Sequence, residues 1–265
     1  MSPIRGGILH LPTSQEGRYS QSLERGLAIL RAFTPERPWM GIAEIAAHLE
    51  MSRPTIHRYA STLVALNYLE QGRGRKYRLG TRAGDPGRSA VASTTARSIP
   101  PQLLGQLRDS SGCTASLAVL DGKDIVYVDR ARSTRGGRSE VDARLGRGSR
   151  LPAAATALGR ALLAEPKRRE AIAGCAEHAD DLDGLMSELD RVRSRGIAVA
   201  DQLRVHGQVC VAAPVRSKSG EAVAAVDVAA AKSDYPAGQA RERFGLLVSE
   251  SAARMSAELG YSPDS

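Results

Sequence analysis

The stretch Met51–Leu69, MSRPTIHRYASTLVALNYL, decides how the rest of the chain is read. Ser52 is a natural N-cap, and Pro54 falls in the first turn, where its missing N–H leaves no bond unmade. Ile56, Ala60, Leu63 and Leu66 recur at spacings of four and three, the signature of one apolar helical face over a helix reaching about Tyr68. Arg53, Thr55, His57 and Arg58 fall outside that face. Such a helix anchors itself with one side and presents cations and hydroxyls with the other. Arginine bonds two acceptors on a guanine edge, threonine contacts a thymine methyl or a phosphate, and a helix N-terminus favours a phosphate. A surface helix with solvated charges has the same composition, so the neighbouring sequence must discriminate.

Upstream, SLERGLAILRAF places Leu23, Leu27, Ala28 and Leu30 at helical spacing with Ser22 as N-cap. After the breaker TPERPW, GIAEIAAHLE places Ile42, Ile45, Ala46 and Leu49 on one face. Glu50 and Met51 make a tight connection to the third helix. Two helices across a short turn, the second opening Ser-Arg-x-Thr, form a helix-turn-helix pattern. Downstream, YLEQGRGRKYRLG gives short strands at Tyr68–Glu70 and Lys76–Leu79 around a glycine-rich basic turn with Arg73, Arg75 and Lys76. A basic hairpin tip directly after the recognition helix can grip phosphate or the minor groove and add affinity with little sequence information. The candidate DNA-contacting set is therefore Ser52, Arg53, Thr55, His57, Arg58, Arg73, Arg75 and Lys76.

Charge supports the partner. The 265 residues carry a formal net charge of +8 and a pI near 9.7, which favours an anionic partner. Residues 1–90 hold 13 basic against 7 acidic residues, whereas the remainder holds 24 against 22. The basic surplus belongs to a small N-terminal module attached to a larger, nearly neutral one. With 42% apolar and only 4% aromatic residues, the cores are built mainly from Ala, Leu, Val and Ile. No apolar run approaches the roughly 20 residues needed to cross a bilayer, and the first twenty residues lack a signal-peptide core, so a cytoplasmic, non-membrane protein is expected. Three scattered cysteines, Cys113, Cys175 and Cys210, point to reduced thiols rather than a disulfide framework.

The larger module reads as α/β. A helix around Leu103–Asp109 precedes strands in TASLAVL and DIVYVDR joined at Asp121-Gly122, a hairpin signal. Further strands lie in GIAVAD, VCVAAPVR and AVAAVDVA, the last two separated by SKSG. Helices fall at PAAATALGRALLA, DGLMSELDRVRSR and roughly Gly238–Leu259. A mixed, largely antiparallel sheet flanked by helices follows. In PAAATALGRALLA the small residues permit an anion to approach the helix N-terminus, but close helix–sheet packing is the favoured reading.

The segments SLERGLAILRAF, IAEIAAHLEMSRPTIHRY and LVALNYLEQGRGRKYRLG resemble the winged helix-turn-helix of IclR-type bacterial transcriptional regulators. GCTASLAVLDGKDIVYVDR, GSRLPAAATALGRALLA, RVRSRGIAVAD and VAAPVRSKSGEAVAAVDVA resemble that family's effector-binding domain, so the likeness covers roughly residues 20–260. The fold class implied is α+β, with a winged helix-turn-helix joined by a linker helix to a GAF-like α/β domain. Residues 1–19 would be a disordered segment, 20–82 the DNA-binding domain, 83–100 the linker helix and 101–262 the effector-binding and oligomerisation domain. In the linker TRAGDPGRSAVASTTARSIPP, Gly84, Pro86 and Gly87 interrupt the start, while Asp85 as N-cap and Pro86 restart a helix ending before Pro100. A hinge near Gly84 competes with glycines that simply end the wing strand.

The resemblance implies a homodimer or homotetramer that binds double-stranded operator DNA, as repressor or activator, and responds to a small organic effector without catalysis or a cofactor. Carried over by position, the effector contacts fall at Ala157, Leu158, Ala200 or Asp201, Cys210, Asp227 and Ala229. Family members that bind small acids commonly carry hydroxyl residues where this chain has Asp227 and Ala229, and an acidic residue where it has Ala200. A carboxylate at Asp227 repels an anion unless protonated or paired, favouring a hydroxylated, neutral or amine-bearing effector. The alternative is an Asp227 bonded to arginine or backbone within the sheet.

Two other function classes compete. Cys113, Cys210, His178 and His206 could assemble a nucleophile and base, yet the chain has no nucleophile elbow, phosphate-cradling loop or paired-histidine metal motif. The lone CxxH of Cys175 and His178 lacks a second ligand pair. A C-terminal domain serving only as a dimerisation scaffold is the third reading.

Overall fold

The computed structural model describes residues 19–34, 36–87, 95–133, 145–166, 168, 182–201 and 207–263. They fall into two units, Met1–Ser89 and Ala90–Ser265.

In the N-terminal unit, α1 spans Gln21–Arg31, α2 Ile42–His48 and α3 Arg53–Ala65. The cap of α1 is Ser20, whose side chain accepts the Leu23 N–H at 3.3 Å, and not Ser22. Its core-facing side also differs from the expected leucine stripe. Leu23 and Leu27 are 64% and 52% exposed, while Ile29, Ala32 and Phe33 are buried. Four apolar residues at helical spacing define a stripe, but only neighbouring helices decide which stripe is covered. Ile29, Ile45 and Ile56 are fully buried, one from each helix, each stabilising the unit by about 1.5–3 kcal/mol relative to exposure.

The third helix is capped as expected: Ser52 Oγ accepts the Thr55 N–H at 3.3 Å. It ends at Ala65 rather than near Tyr68, because Asn67 turns left-handed (φ 62°) and leads the chain into the wing. Leu66 consequently lies past the last turn and is half-exposed, leaving Ile56 and Ala60 as the fully buried anchors. The wing strands β2 (Leu69–Gln71) and β3 (Lys76–Leu79) pair antiparallel, and β1 (Met40–Gly41) adds on the other side of β3 in the order β1-β3-β2. Strand β1 is too short to give a period in sequence. A turn of 3-10 helix follows at Thr81–Gly84. Residues 88–94 of the expected linker helix lie outside the described residues, as do residues 1–18, Cys175, His178 and His206.

The C-terminal unit is built on one six-stranded sheet in the order β6-β5-β4-β9-β8-β7. Its strands are β4 (Thr114–Asp121), β5 (Asp124–Ala131), β6 (Arg150–Pro152), β7 (Ala198–Asp201), β8 (Gln208–Arg216) and β9 (Ala222–Ala231). Every pairing is antiparallel. The Asp121–Asp124 hairpin turns through Gly122 at φ 60°, as its sequence required.

Helices cover both faces. On one face, α5 (Ala157–Leu163) and α6 (Leu182–Arg195) pack on Ala118, Ala200, Cys210, Ala212, Ala225 and Ala229. On the other, α4 (Pro101–Ser111) and α7 (Ala237–Glu258) pack on Leu117, Val211, Val226 and Val228. The pleat of β7, β8 and β9 thus sends their buried valines to the second face, together with Ala213, Ala224 and Ala230, and leaves the buried apolar positions of the first face to Ala and Cys.

Candidate nucleic-acid interface and ligand face

The exposed side of α3 is set by its buried side. With Ile56 and Ala60 fixed inward, the 3.6-residue period turns Arg53, Pro54, His57, Arg58 and Ser61 outward, and all five are exposed. Ser61 was not among the sequence-derived candidates, although it lies one turn beyond His57 on the same face. Its hydroxyl donates to the His57 carbonyl at 2.9 Å, so its oxygen lone pairs point to solvent as acceptors.

Ser52 and Thr55 are engaged in the cap. Their hydroxyl oxygens lie 2.7 Å apart, and Thr55 is half-buried. Both therefore build the helix N-terminus more than they project from it. Arg58 lies over its neighbour Tyr59, 5.7 Å from the ring centre. The Tyr59 phenol is held below its ordinary pKa, first by a hydrogen bond from Ser22 and further by Arg58 and Arg25.

The wing tip is shaped by backbone. Gly72 N–H donates to the Lys76 carbonyl at 2.8 Å, and Gly74 and Arg75 both adopt positive φ, 70° and 55°. Arg73 and Arg75 are exposed, and among the described residues Arg53, Arg58, Arg73 and Arg75 have no carboxylate partner. Lys76 differs, since Glu44 Oε1 lies 3.7 Å from its ammonium. That carboxylate also accepts the Gly41 N–H, and this bond, followed by Lys76, holds Glu44 below the ordinary carboxylate pKa. Trp39, preceding β1, lies close against Gly72 and under the Arg78 guanidinium, whose Cζ is 5.1 Å from the ring centre. Arg78 in turn bonds Glu70 across the hairpin at 2.6 and 2.8 Å. The wing is thus braced from outside by an indole that sequence reading assigned only to a breaker.

In the C-terminal unit, five of the six expected ligand-contacting positions share one face. Ala157 and Leu158 start α5, Cys210 pairs with Ala229, and Asp227 sits two residues along, opposite Ala212 and Ser116. All are buried. Asp201 does not join them. It pairs with Val209, so the pleat turns it to the opposite face, where it is ion-paired with Lys232. Ala200, opposite Cys210, holds the inward position instead.

Asp227 is 2% exposed, and its Oδ1 accepts the Ser116 N–H at 3.1 Å. Ser116 Oγ accepts from Arg130 Nε at 3.2 Å, and the Arg130 guanidinium lies over Tyr127 and also donates to the Leu145 carbonyl at 3.2 Å. A polar row, Asp227–Ser116–Arg130, therefore crosses three strands of an otherwise alanine-lined face. The backbone bond expected as an alternative role for Asp227 is present. Ser116 and Arg130 were not anticipated, because only strand register brings them beside Asp227. The helix reading of PAAATALG as a packing device also holds. Thr156, at the N-cap, accepts the Gly159 N–H at 2.9 Å, and a Cβ on Gly159 would run into the Ala153 backbone.

Among the described residues no group of three or more His, Cys, Asp or Glu side chains is placed to hold a metal ion, and no helix is long and apolar enough to cross a membrane.

Comparison with known proteins joins both sites. Residues 22–73 match the IclR helix-turn-helix domain, and residues 89–257 match the bacterial transcriptional regulator IclR C-terminal domain. The Pca regulon regulatory protein of Pseudomonas putida is 29% identical over 235 residues, 85% of this chain and 79% of its own. The transcriptional repressor AllR of Salmonella typhi is 27% identical, covering 95% and 94%. A transcriptional regulator from Rhodococcus sp. RHA1 has a TM-score of 0.74 at 30% identity over 91% of this chain and 99% of its own. An IclR homologue from Microbacterium hydrocarbonoxydans, solved with 4-hydroxybenzoate, superposes with a TM-score of 0.71 at 22% identity over 91% and 100%. The chain belongs to the IclR family of bacterial transcriptional regulators: an N-terminal DNA-binding domain followed by a C-terminal ligand-binding domain.

Proposed function

We propose that this protein reads a pseudo-palindromic operator as a cytoplasmic homodimer or homotetramer, and that a small hydroxylated organic acid on the C-terminal ligand face alters its operator affinity without being chemically transformed. Arg53, His57, Arg58 and Ser61 read base edges, Ser52 and Thr55 shape the helix N-terminus against a phosphate, and Arg73, Arg75 and Lys76 hold the flanking backbone. The observation that carries this reading is the exposed row of arginines without carboxylate partners on α3 and the adjacent wing tip. Arginines already neutralised by neighbours would release few counterions on binding DNA.

The effector class follows from the polar row. Asp227 alone disfavours an anion, but Arg130, two strands away, supplies a cation at the other end of the row. A carboxylate directed to Arg130 and a hydroxyl donating to Asp227 match the two ends of the row, with Ala157, Leu158, Cys210 and Ala229 contacting the carbon skeleton. The 4-hydroxybenzoate complex of the Microbacterium homologue supports a ligand of that chemistry.

The test is selection of bound genomic fragments by the purified protein and by the Arg53→Ala/Arg58→Ala double variant at one salt concentration. A short palindromic site recovered by the first and lost by the second is expected. Diffuse, salt-sensitive binding identical in both would remove α3 from the reading of sequence. On the recovered site, 4-hydroxybenzoate is the first effector probe, with Arg130→Gln expected to abolish its effect on affinity.

A further inference from the structure

A cavity of about 240 Å³ lies in the C-terminal unit where the end of α6, strand β7 and the start of α7 meet. It is separate from the ligand face. Ile197 and Val199 line it, whereas Ala198 and Ala200 of the same strand face the opposite side with Cys210. Its volume lies below the roughly 300 Å³ at which drug-sized sites begin, which suits a smaller ligand.

The charge around the cavity is unbalanced. Arg191 and Arg195 of α6 and Arg241 of the first turns of α7, all exposed, line its rim against one acid, Glu188. Glu188 is already taken up: its Oε2 lies 3.1 Å from Arg191 Nη1. It also acts on half-buried Arg160, whose guanidinium pKa is lowered by desolvation and supported by Glu188. Arg195 and Arg241 have no ion-pair partner among the described residues. The helix start between them adds further donors. Helix α7 has no capping side chain and no acidic residue in its first turn, and its Ala237 and Gly238 line the cavity. Nothing lies within 4 Å of where a Gly238 Cβ would be, so its backbone is open to close approach.

We propose that this cavity binds a phosphate monoester of a short carbon skeleton, as a second ligand site of the protein. Two arginine forks and the α7 amides offer several donors to one tetrahedral head, which a dianionic phosphoryl group uses more fully than a single carboxylate. Ile197, Val199 and Val192 form the apolar floor for the carbon part. Because β7 lines both sites with alternate residues, an occupant here bears on the same strand that carries Ala200.

The experiment is calorimetric titration of the full chain with glycerol 3-phosphate, inorganic phosphate and succinate at matched ionic strength. Glycerol 3-phosphate is expected to bind more tightly than inorganic phosphate, and the Arg195→Gln/Arg241→Gln variant to bind it at least about tenfold more weakly. Gly238→Asp supplies the control for folding. Its side chain has room, an acid suits the first helical turn, and the variant should melt no lower than the parent while losing glycerol 3-phosphate binding. No binding by the parent, or binding unchanged in both variants, overturns the site. Succinate binding as tightly as glycerol 3-phosphate overturns the phosphoryl assignment. A shift in oligomeric state on Gly238→Asp, without anion binding by the parent, overturns the proposal in favour of contact between copies.

Discussion

Replacing Gly72 with alanine tests whether Trp39 braces the wing. Gly72 has φ −98°, so its backbone accepts any residue, and the obstacle is the indole alone. An added Cβ would lie 2.6 Å from Trp39 Cζ3 and 2.7 Å from Cη2. Carbon atoms pack at about 3.5–4.0 Å, so the ring must withdraw by about 1 Å or the hairpin must open. Overpacking of this kind costs about 1–3 kcal/mol. The ring is 40% exposed and can yield toward solvent, which places the expected cost in the lower half of that range. Part of it is the weakened stacking of Arg78, worth about 0.5–1 kcal/mol at an exposed site.

The chain has a single tryptophan, so its emission during urea unfolding reports on the N-terminal unit even though the two units need not unfold together. Gly72→Ala should lower the midpoint and shift the native emission to longer wavelength. In a Trp39→Leu background, followed by circular dichroism, the same substitution should cost close to nothing, and the difference between backgrounds isolates the contact. An unchanged midpoint and spectrum, or a penalty equally large without the indole, would refute the brace.

Other predictions follow from the same geometry. Arg73→Ala/Arg75→Ala should reduce the slope of log affinity against log salt by up to about 2, and an unchanged slope would remove the wing from phosphate contact. Gly159→Ala should destabilise the C-terminal unit by about 1–3 kcal/mol or more, because the obstacle is the Ala153 backbone and not a movable side chain; an unaltered melting midpoint would contradict that packing. Burial, and then Asp234, push the Cys113 thiol above the ordinary cysteine pKa against the opposing pull of Arg243. Its alkylation, read by mass spectrometry, should therefore rise with pH later than that of a free cysteine, and an earlier rise would reverse the sign.

The elements of the N-terminal unit were legible because short-range chemistry dictates them. Ser52 caps the helix it was expected to cap, Pro54 sits in its first turn, and the GRGR turn carries positive φ at Gly74 and Arg75. Faces were less legible where more than one stripe was apolar. In α1, Leu23, Leu27 and Leu30 compete with Ile29, Ala32 and Phe33, and the choice is made by α2 and α3, which the helix cannot specify alone. Trp39 was unreadable for a related reason: its partners Gly72 and Arg78 lie more than thirty residues away and meet it only through pairing of β1 with β3.

The ligand face shows the same division within one strand. Position alone could bring the assignment to Ala200 or Asp201, adjacent residues that the pleat sends to opposite faces. Pairing separates the two: Ala200 opposes Cys210, Asp201 opposes Val209, and Asp201 leaves for Lys232. A one-residue slip of β7 would exchange the two, moving a carboxylate onto the alanine face and Ala200 among the valines. The register that prevents this is fixed by Ala198 and Ala200, which are small enough for α5 and α6 to press on the sheet, and by Ile197, on which Gly245 of α7 closes to 3.1 Å from the methyl group at its would-be Cβ. The same register aligns Ala212, Asp227, Ser116 and Arg130 across four strands. The sequence brought Asp227 forward by position alone, without its partners Ser116 and Arg130. The carboxylate lies in one polar row with an arginine nearly one hundred residues earlier, and in the proposed reading the pair, rather than either residue, selects the ligand.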